Sequence, residues 1–121
     1  DSKFLAEKRK EDNEIDPGAL VFPGGHVKEG ESLFGACRRE FREEFGLDCG
    51  TFEFICTLPY TASNNEQMDL HYFFCKGWSG EPKSLEAEKL VWLGPEELEN
   101  LSFDEDKQAV AEFILAKGEI F

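Results

Sequence analysis

Residues 25–47 read GHVKEGESLFGACRREFREEFGL, and the second half of this stretch carries the marks of a helix with defined ends. Ser32 has the side chain of an N-cap, and Gly46 stands where a left-handed residue closes a helix. At about 100° per residue, Phe34, Cys37, Phe41 and Phe45 fall on one apolar stripe. Glu40, Glu43 and Glu44 share a second arc beside it. Carboxylates at i, i+3 and i+4 repel, each close pair costing roughly 0.2–0.5 kcal/mol in an isolated helix. Arg39 and Arg42 point elsewhere on the wheel and offset this only in part. Two readings follow: a solvated acidic face, or oxygen ligands converging on a hard divalent cation such as Mg2+ or Mn2+.

The spacing around the glutamates favours the second reading. Gly25 is followed after five residues by Glu31, and after seven more by Arg39-Glu40-Phe41, then Glu43-Glu44 and Gly46-Leu47. This resembles the Nudix box, G-x5-E-x7-R-E-U-x-E-E-x-G-U with U bulky and apolar, and every specified position is met. The resemblance extends more loosely over nearly the whole chain.

Outward from the box, ALVF at residues 19–22 reads as a short buried strand that Pro23-Gly24-Gly25 turns into the box loop. Glycines there let a backbone carbonyl come close to a cation. His26 in this loop reads as a surface residue. Upstream, KFLAEK at 3–8 reads as a strand running into the basic cluster Lys8-Arg9-Lys10, which serves either as a solvated strand end or as a phosphate contact. The loop EDNEIDPG, 11–18, closes on Pro17-Gly18. Downstream, TFEFICTLPY (51–60) and 68–76 read as an antiparallel hairpin joined by the turn-rich TASNNEQ. EKLVWL at 88–93 is a further strand, Pro95 opens a short helix through Leu101, and a last helix runs from Asp104 to Lys117 with Gly118 closing it.

Composition sets the frame. With 121 residues, 40% of them hydrophobic and 12 of them Phe, the chain reads as a single domain, 1–121, with one packed core. A net charge of −13 argues against a nucleic-acid duplex or an anionic membrane as partner. It leaves room for a small nucleotide, because a bound cation inverts the local field. No apolar run approaches about 18 residues, so no membrane span is expected. The four cysteines show no C-x-x-C pairing and there are two histidines, so a zinc site is not expected. With Cys37 on the apolar stripe and Cys56 and Cys75 in strand-like runs, reduced thiols in a cytoplasmic protein are the expectation.

The resemblance implies an α/β fold, the Nudix α/β/α sandwich with a mixed β-sheet between helices. It also implies a strand ahead of KFLAEK, for which Asp1 leaves no room, so a first strand is expected to be missing from this chain. It implies a pyrophosphohydrolase that uses Mg2+ or Mn2+, with Glu40, Glu43 and Glu44 as metal ligands and the Gly24 carbonyl completing the set. Glu40 is the candidate base, with Glu44 as the alternative, and Arg39 holds a glutamate in its working rotamer. Gly25, Glu31 and Gly46 are structural, Glu31 bracing the loop against the helix. The run from Glu86 to Trp92 resembles the family's E-x5-W segment and nominates Glu86 as an outside ligand, with Glu88 as the alternative. The FPGG entry at 22–25, the aromatic strand leading to Trp78-Ser-Gly-Glu-Pro82, and residues 103–110 look most like MutT-type enzymes, which cleave oxidised purine triphosphates such as 8-oxo-dGTP. In such enzymes Asp106 falls where an acid or amide reads the purine edge, with Asp104 as the alternative, and Phe22 walls the pocket; Lys8 and Arg9 are the expected phosphate contacts. ADP-ribose or dinucleoside polyphosphate hydrolysis, or a non-catalytic nucleotide-binding module, are the competing readings. Either a monomer or a homodimer fits the chain.

Overall fold

The computed structural model describes residues 3–117. Its elements follow in the order β1 (Phe4–Lys8), β2 (Leu20–Val21), α1 (Leu33–Phe45), β3 (Thr51–Thr61), β4 (Gln67–Lys76), β5 (Lys89–Leu93), a 3-10 helix (Pro95–Asn100) and α2 (Asp104–Lys117). The expected α/β arrangement forms, with each element within a residue or two of where local signals placed it. Gly118, the expected stop for α2, lies outside the described residues.

Three strands form one sheet in the order β2-β1-β5, and β3 pairs with β4 in a second. Every pairing among the described residues is antiparallel. β1 is the middle strand of its sheet, with Glu7 opposite Val21 on one side and Leu90 on the other. Being covered on both edges puts Ala6 in the core beside Leu93 and Leu101. In the β3–β4 hairpin, Phe54 pairs with Phe73 and Cys56 with Tyr72, so Ile55 is the extra residue of a bulge.

Helix α1 is bounded as its end residues require. Ser32 is extended at φ −76°, ψ 162°, and its side chain accepts from the Gly35 N–H. Gly46 takes the left-handed conformation at φ 71° and its N–H donates to the Arg42 carbonyl, a conformation that costs glycine no Cβ clash. The apolar stripe meets the hairpin through rings, Phe41 against Phe52 at 6.0 Å and Phe34 against Phe73 at 5.4 Å between centroids. Phe34 nevertheless stays half exposed. Helix α2 covers β3 and β4 from its own side, with Phe113 against Phe74 at 4.6 Å and Lys117 paired to Glu53.

The expectation of four reduced thiols is corrected: Cys49 and Cys75 form a disulfide, and Cys37 and Cys56 are free. The hairpin register sets Cys75 opposite Phe52, which brings it to a Cα–Cα distance of 6.6 Å from Cys49 in the loop entering β3, within reach of a bridge. Such proximity comes from pairing over 26 residues and has no local signature. No helix among the described residues is long and apolar enough to cross a membrane.

Candidate active site

The site is assembled around one guanidinium. Arg39, on α1, donates from Nε to Glu31 Oε2 at 2.8 Å and from Nη2 to Glu31 Oε1 at 2.9 Å. Nη2 also reaches the His26 carbonyl at 2.8 Å. Nη1 serves Glu40 Oε2 at 2.8 Å and Glu43 Oε1 at 3.2 Å. The Lys28 backbone N–H adds a third bond to Glu31 at 3.0 Å. A planar fork of donors is suited to this, and lysine could not copy it. Arg39 and the Lys28 N–H hold the Glu31 carboxyl down at about 2, so Glu31 remains an anion that locks the loop of residues 26–31 onto α1. His26 takes part only through its backbone oxygen among the bonds described.

With its rotamer held by Arg39, Glu40 lies against the backbone of Gly25. A Cβ at Gly25 would come within 2.0 Å of Glu40 Oε2. The steric demand for glycine therefore falls here; at Gly24 a Cβ would meet nothing within 4 Å.

Glu40, Glu44 and Glu86 offer carboxylate oxygens that all lie within 4.8 Å of one another. Glu40 and Glu44 are one helical turn apart. Glu86 arrives because the chain beyond β4 docks on the end of α1: the Lys83 N–H donates to the Phe45 carbonyl at 3.1 Å and the Leu85 N–H to the Glu44 carbonyl at 3.1 Å. These two acceptors are free because the last turn of a helix has no internal donors for them. Glu88 does not join; it pairs with Lys8 at 3.6 Å. Glu43 does not join either. Its half-exposed carboxylate takes the Arg39 bond and stands outside the trio.

One residue of the site had no signal in the spacing. Glu7, on β1, is 8% exposed and hydrogen-bonds to Glu44, itself 5% exposed. Burial raises both carboxyls, Glu44 strongly, with Glu7, Glu40 and Glu86 adding to the effect. Glu86 is raised too, by burial and by Glu40 and Glu43. Glu7 is the penultimate residue of β1, between apolar Phe4-Leu5-Ala6 and Lys8, and nothing there marks it as part of a site.

The donor set fits a hard divalent cation. Three oxygen ligands converge, they run from buried Glu44 to exposed Glu86, and like charge at this density is relieved by a cation in their midst. An exposed side leaves room for the water that Mg2+ retains.

A cavity of about 660 Å³ opens beside the trio, lined by Arg9, Phe22, Gly24, Glu40, Glu44 and Asp106 among others. Phe22 packs on the Ala6–Leu93–Leu101 core and also faces this space. Asp106 is 4% exposed. Its Oδ2 accepts from the Phe22 N–H at 3.1 Å and its Oδ1 from the Tyr72 hydroxyl, so it ties α2 to the end of β2 and to β4. Burial raises its carboxyl. The basic cluster divides: Lys8 is held by Glu11 at 3.0 Å and Glu88, away from the cavity lining. Arg9 lines the cavity and donates from Nη1 to the Ile15 carbonyl at 3.2 Å, while its buried Nε has no hydrogen-bond partner among the described residues. A buried donor left unmatched costs about 1–3 kcal/mol.

Comparison with known proteins places this arrangement. The NUDIX domain family model matches residues 1–114. An 8-oxo-dGTP diphosphatase of Buchnera aphidicola subsp. Schizaphis graminum (strain Sg) is 30% identical over 100 residues, covering 83% of this chain and 73% of its own. A CTP pyrophosphohydrolase of Escherichia coli (strain K12) is 31% identical over 97 residues, 80% of this chain and 70% of its own. Among solved structures, a MutT NUDIX hydrolase from Burkholderia pseudomallei has a TM-score of 0.77 at 27% identity, covering 93% of this chain and 88% of the other.

Proposed function

The chain belongs to the NUDIX family, and from that premise we propose that it is a metal-dependent pyrophosphohydrolase cleaving a nucleoside triphosphate to the monophosphate and pyrophosphate. The chain is a hydrolase acting on phosphoanhydride bonds. The observation that carries this proposal is the convergence of Glu40, Glu44 and Glu86 beside a cavity of about 660 Å³.

In this reading Glu40, Glu44 and Glu86 would hold Mg2+ or Mn2+, with the Gly24 carbonyl as the further ligand the family pattern suggests, while Glu43 stays on Arg39. When bound there, such a cation would supply charge neutralisation for the phosphates and a lowered pKa for water. The remaining work falls to the chain. Glu40 Oε1 orients the water and takes its proton, since Arg39 engages only Oε2 among its carboxylate oxygens; Glu44 is the second choice. As the water oxygen bonds to phosphorus, the bridging P–O bond breaks and pyrophosphate or the monophosphate leaves with the electron pair. Arg39 keeps Glu40 in place through both states. Arg9, which lines the cavity, receives the substrate from the side of β1; Lys8, bound to two carboxylates, is the lesser contact. Phe22 stacks along the base, and Asp106 has a second lone pair on each oxygen for a purine edge. The name of one relative, an 8-oxo-dGTP diphosphatase, supports an oxidised purine, and that of another, a CTP pyrophosphohydrolase, supports a pyrimidine triphosphate as the competing substrate.

A panel of 8-oxo-dGTP, dGTP, CTP, ADP-ribose and diadenosine polyphosphates, assayed with Mg2+ and with Mn2+, tests the substrate. Pyrophosphate release from 8-oxo-dGTP, at a kcat/KM above that for dGTP and CTP, is the expected outcome. Preference for CTP would overturn the purine assignment, and cleavage only of ADP-ribose or dinucleotides would overturn the triphosphate one.

A smaller change probes the geometry. Gly25→Ala drives a methyl group into the Glu40 carboxylate. Because the end of a side chain is displaced rather than backbone, kcat is expected to fall by about 10- to 100-fold with little change in melting temperature. Full activity in this variant would mean that Glu40 has no need of the position it occupies.

A further inference from the structure

The loop after β1 is fastened to a part of the fold far from it in sequence. Asp16 adopts φ +48°, a left-handed conformation that is uncommon for a residue with a Cβ, though less so for aspartate. Three bonds to the β3–β4 hairpin sustain it. The Asp16 N–H donates to Ser63 Oγ at 2.8 Å, the Ser63 N–H donates to Asp16 Oδ1 at 3.2 Å, and the Tyr60 hydroxyl donates to Asp16 Oδ2 at 2.8 Å. The receiving turn is itself closed, by Ala62 N–H to the Glu66 carbonyl and Asn65 N–H to the Ala62 carbonyl, each at 2.9 Å. Immediately before Asp16, the Ile15 carbonyl accepts from Arg9 Nη1 at 3.2 Å. On the far side, the Tyr60 ring lies 4.8 Å from that of Phe103, which shares the cavity wall with Arg9.

We propose that Asp16 is a positioning residue for substrate binding: by clamping the loop to Ser63 and Tyr60 it fixes the Ile15 carbonyl, and that carbonyl aims the Arg9 guanidinium at the cavity. Asp16 itself touches no substrate. The inference rests on the reading of Arg9 as a substrate contact. Arginine carries many rotamers, so a contact made by an unanchored side chain is weaker by the entropy of ordering it. The clamp meets that cost at folding, before substrate arrives.

Steady-state kinetics of the full chain, using whichever nucleotide of the panel above is cleaved fastest, separates the cases. Asp16→Ala is expected to raise KM about 3- to 10-fold with kcat within about twofold, the size of one charge-assisted contact partly lost. Asp16→Asn, which tolerates the same backbone conformation and keeps an oxygen for the Ser63 N–H, is expected to restore KM to near the parent value. Arg9→Ala is expected to raise KM about 10-fold or more, and the double variant Arg9→Ala/Asp16→Ala to be no worse than Arg9→Ala alone, because both act through one side chain. Multiplying effects in the double variant would overturn the proposal. So would an unchanged KM in Asp16→Ala beside a raised one in Arg9→Ala, which leaves the reading of Arg9 standing. An unchanged KM in Arg9→Ala removes that reading and the clamp's role together. Should Asp16→Ala fail to fold, Tyr60→Phe removes one of the three bonds while keeping the ring on Phe103, and a KM raised about twofold with a shifted Arg9 Nε–H resonance in the free protein is expected; neither change appearing would overturn the proposal.

Discussion

Glu44→Gln is expected to lower kcat by about 1,000-fold without lowering the melting temperature. Glutamine has the shape of glutamate, so the buried position beside Phe45 stays filled, and its amide can still bond to Glu7. Without metal, burial and the neighbouring Glu7, Glu40 and Glu86 raise the Glu44 carboxyl to about 10, so glutamine stands in for a neutral acid and the fold loses little. In the working enzyme the same change removes an anionic ligand. Turnover therefore falls while stability holds, which ordinary misfolding cannot imitate. The checks are kcat by pyrophosphate release, a thermal melt, and Mn2+ affinity by electron paramagnetic resonance. A variant that turns over and binds Mn2+ as the parent does would mean that the trio is only a crowded acidic surface.

Chelation by excess EDTA is expected to bring hydrolysis down to background, a loss of at least about 100-fold, with recovery when Mg2+ or Mn2+ is returned in excess. A second reading comes from stability, independent of turnover. A cation that binds the folded chain alone adds about 2.7 kcal/mol at 100 times its Kd, so Mg2+ should raise the melting temperature of the parent and leave that of Glu44→Gln nearly where it was. Hydrolysis that persists in EDTA, or a melt indifferent to Mg2+, would place the catalytic groups elsewhere.

Much of the site was legible because it is local. Ser32 and Gly46 mark the ends of α1 through their own backbone preferences, and helical period puts Glu40 and Glu44 on one face. Arg39 and Glu31 are eight residues apart, close enough for a loop to fold back on the helix it precedes. Where the reading stopped short, the deciding contact is distant. Period alone could not tell that Glu43 stands aside with Arg39 while Glu86 comes in, because Glu86 is carried there by two backbone bonds to the end of α1. Nor could it tell that Glu88 is taken by Lys8, or that Asp106 spends a bond from each oxygen on Phe22 and Tyr72.

By itself, then, the amino-acid order determined the helix, its glutamate face, the arginine that disciplines it, and the strand pattern around them, since each depends on neighbours within a few turns of chain. Only the tertiary structure decided which carboxylates converge, that Glu7 lies against Glu44, that Cys49 meets Cys75, and that Asp16 reaches Ser63 and Tyr60. Those are products of strand register and docking, where residues 26 to 47 positions apart are brought together by the burial of surfaces that no short stretch of sequence describes.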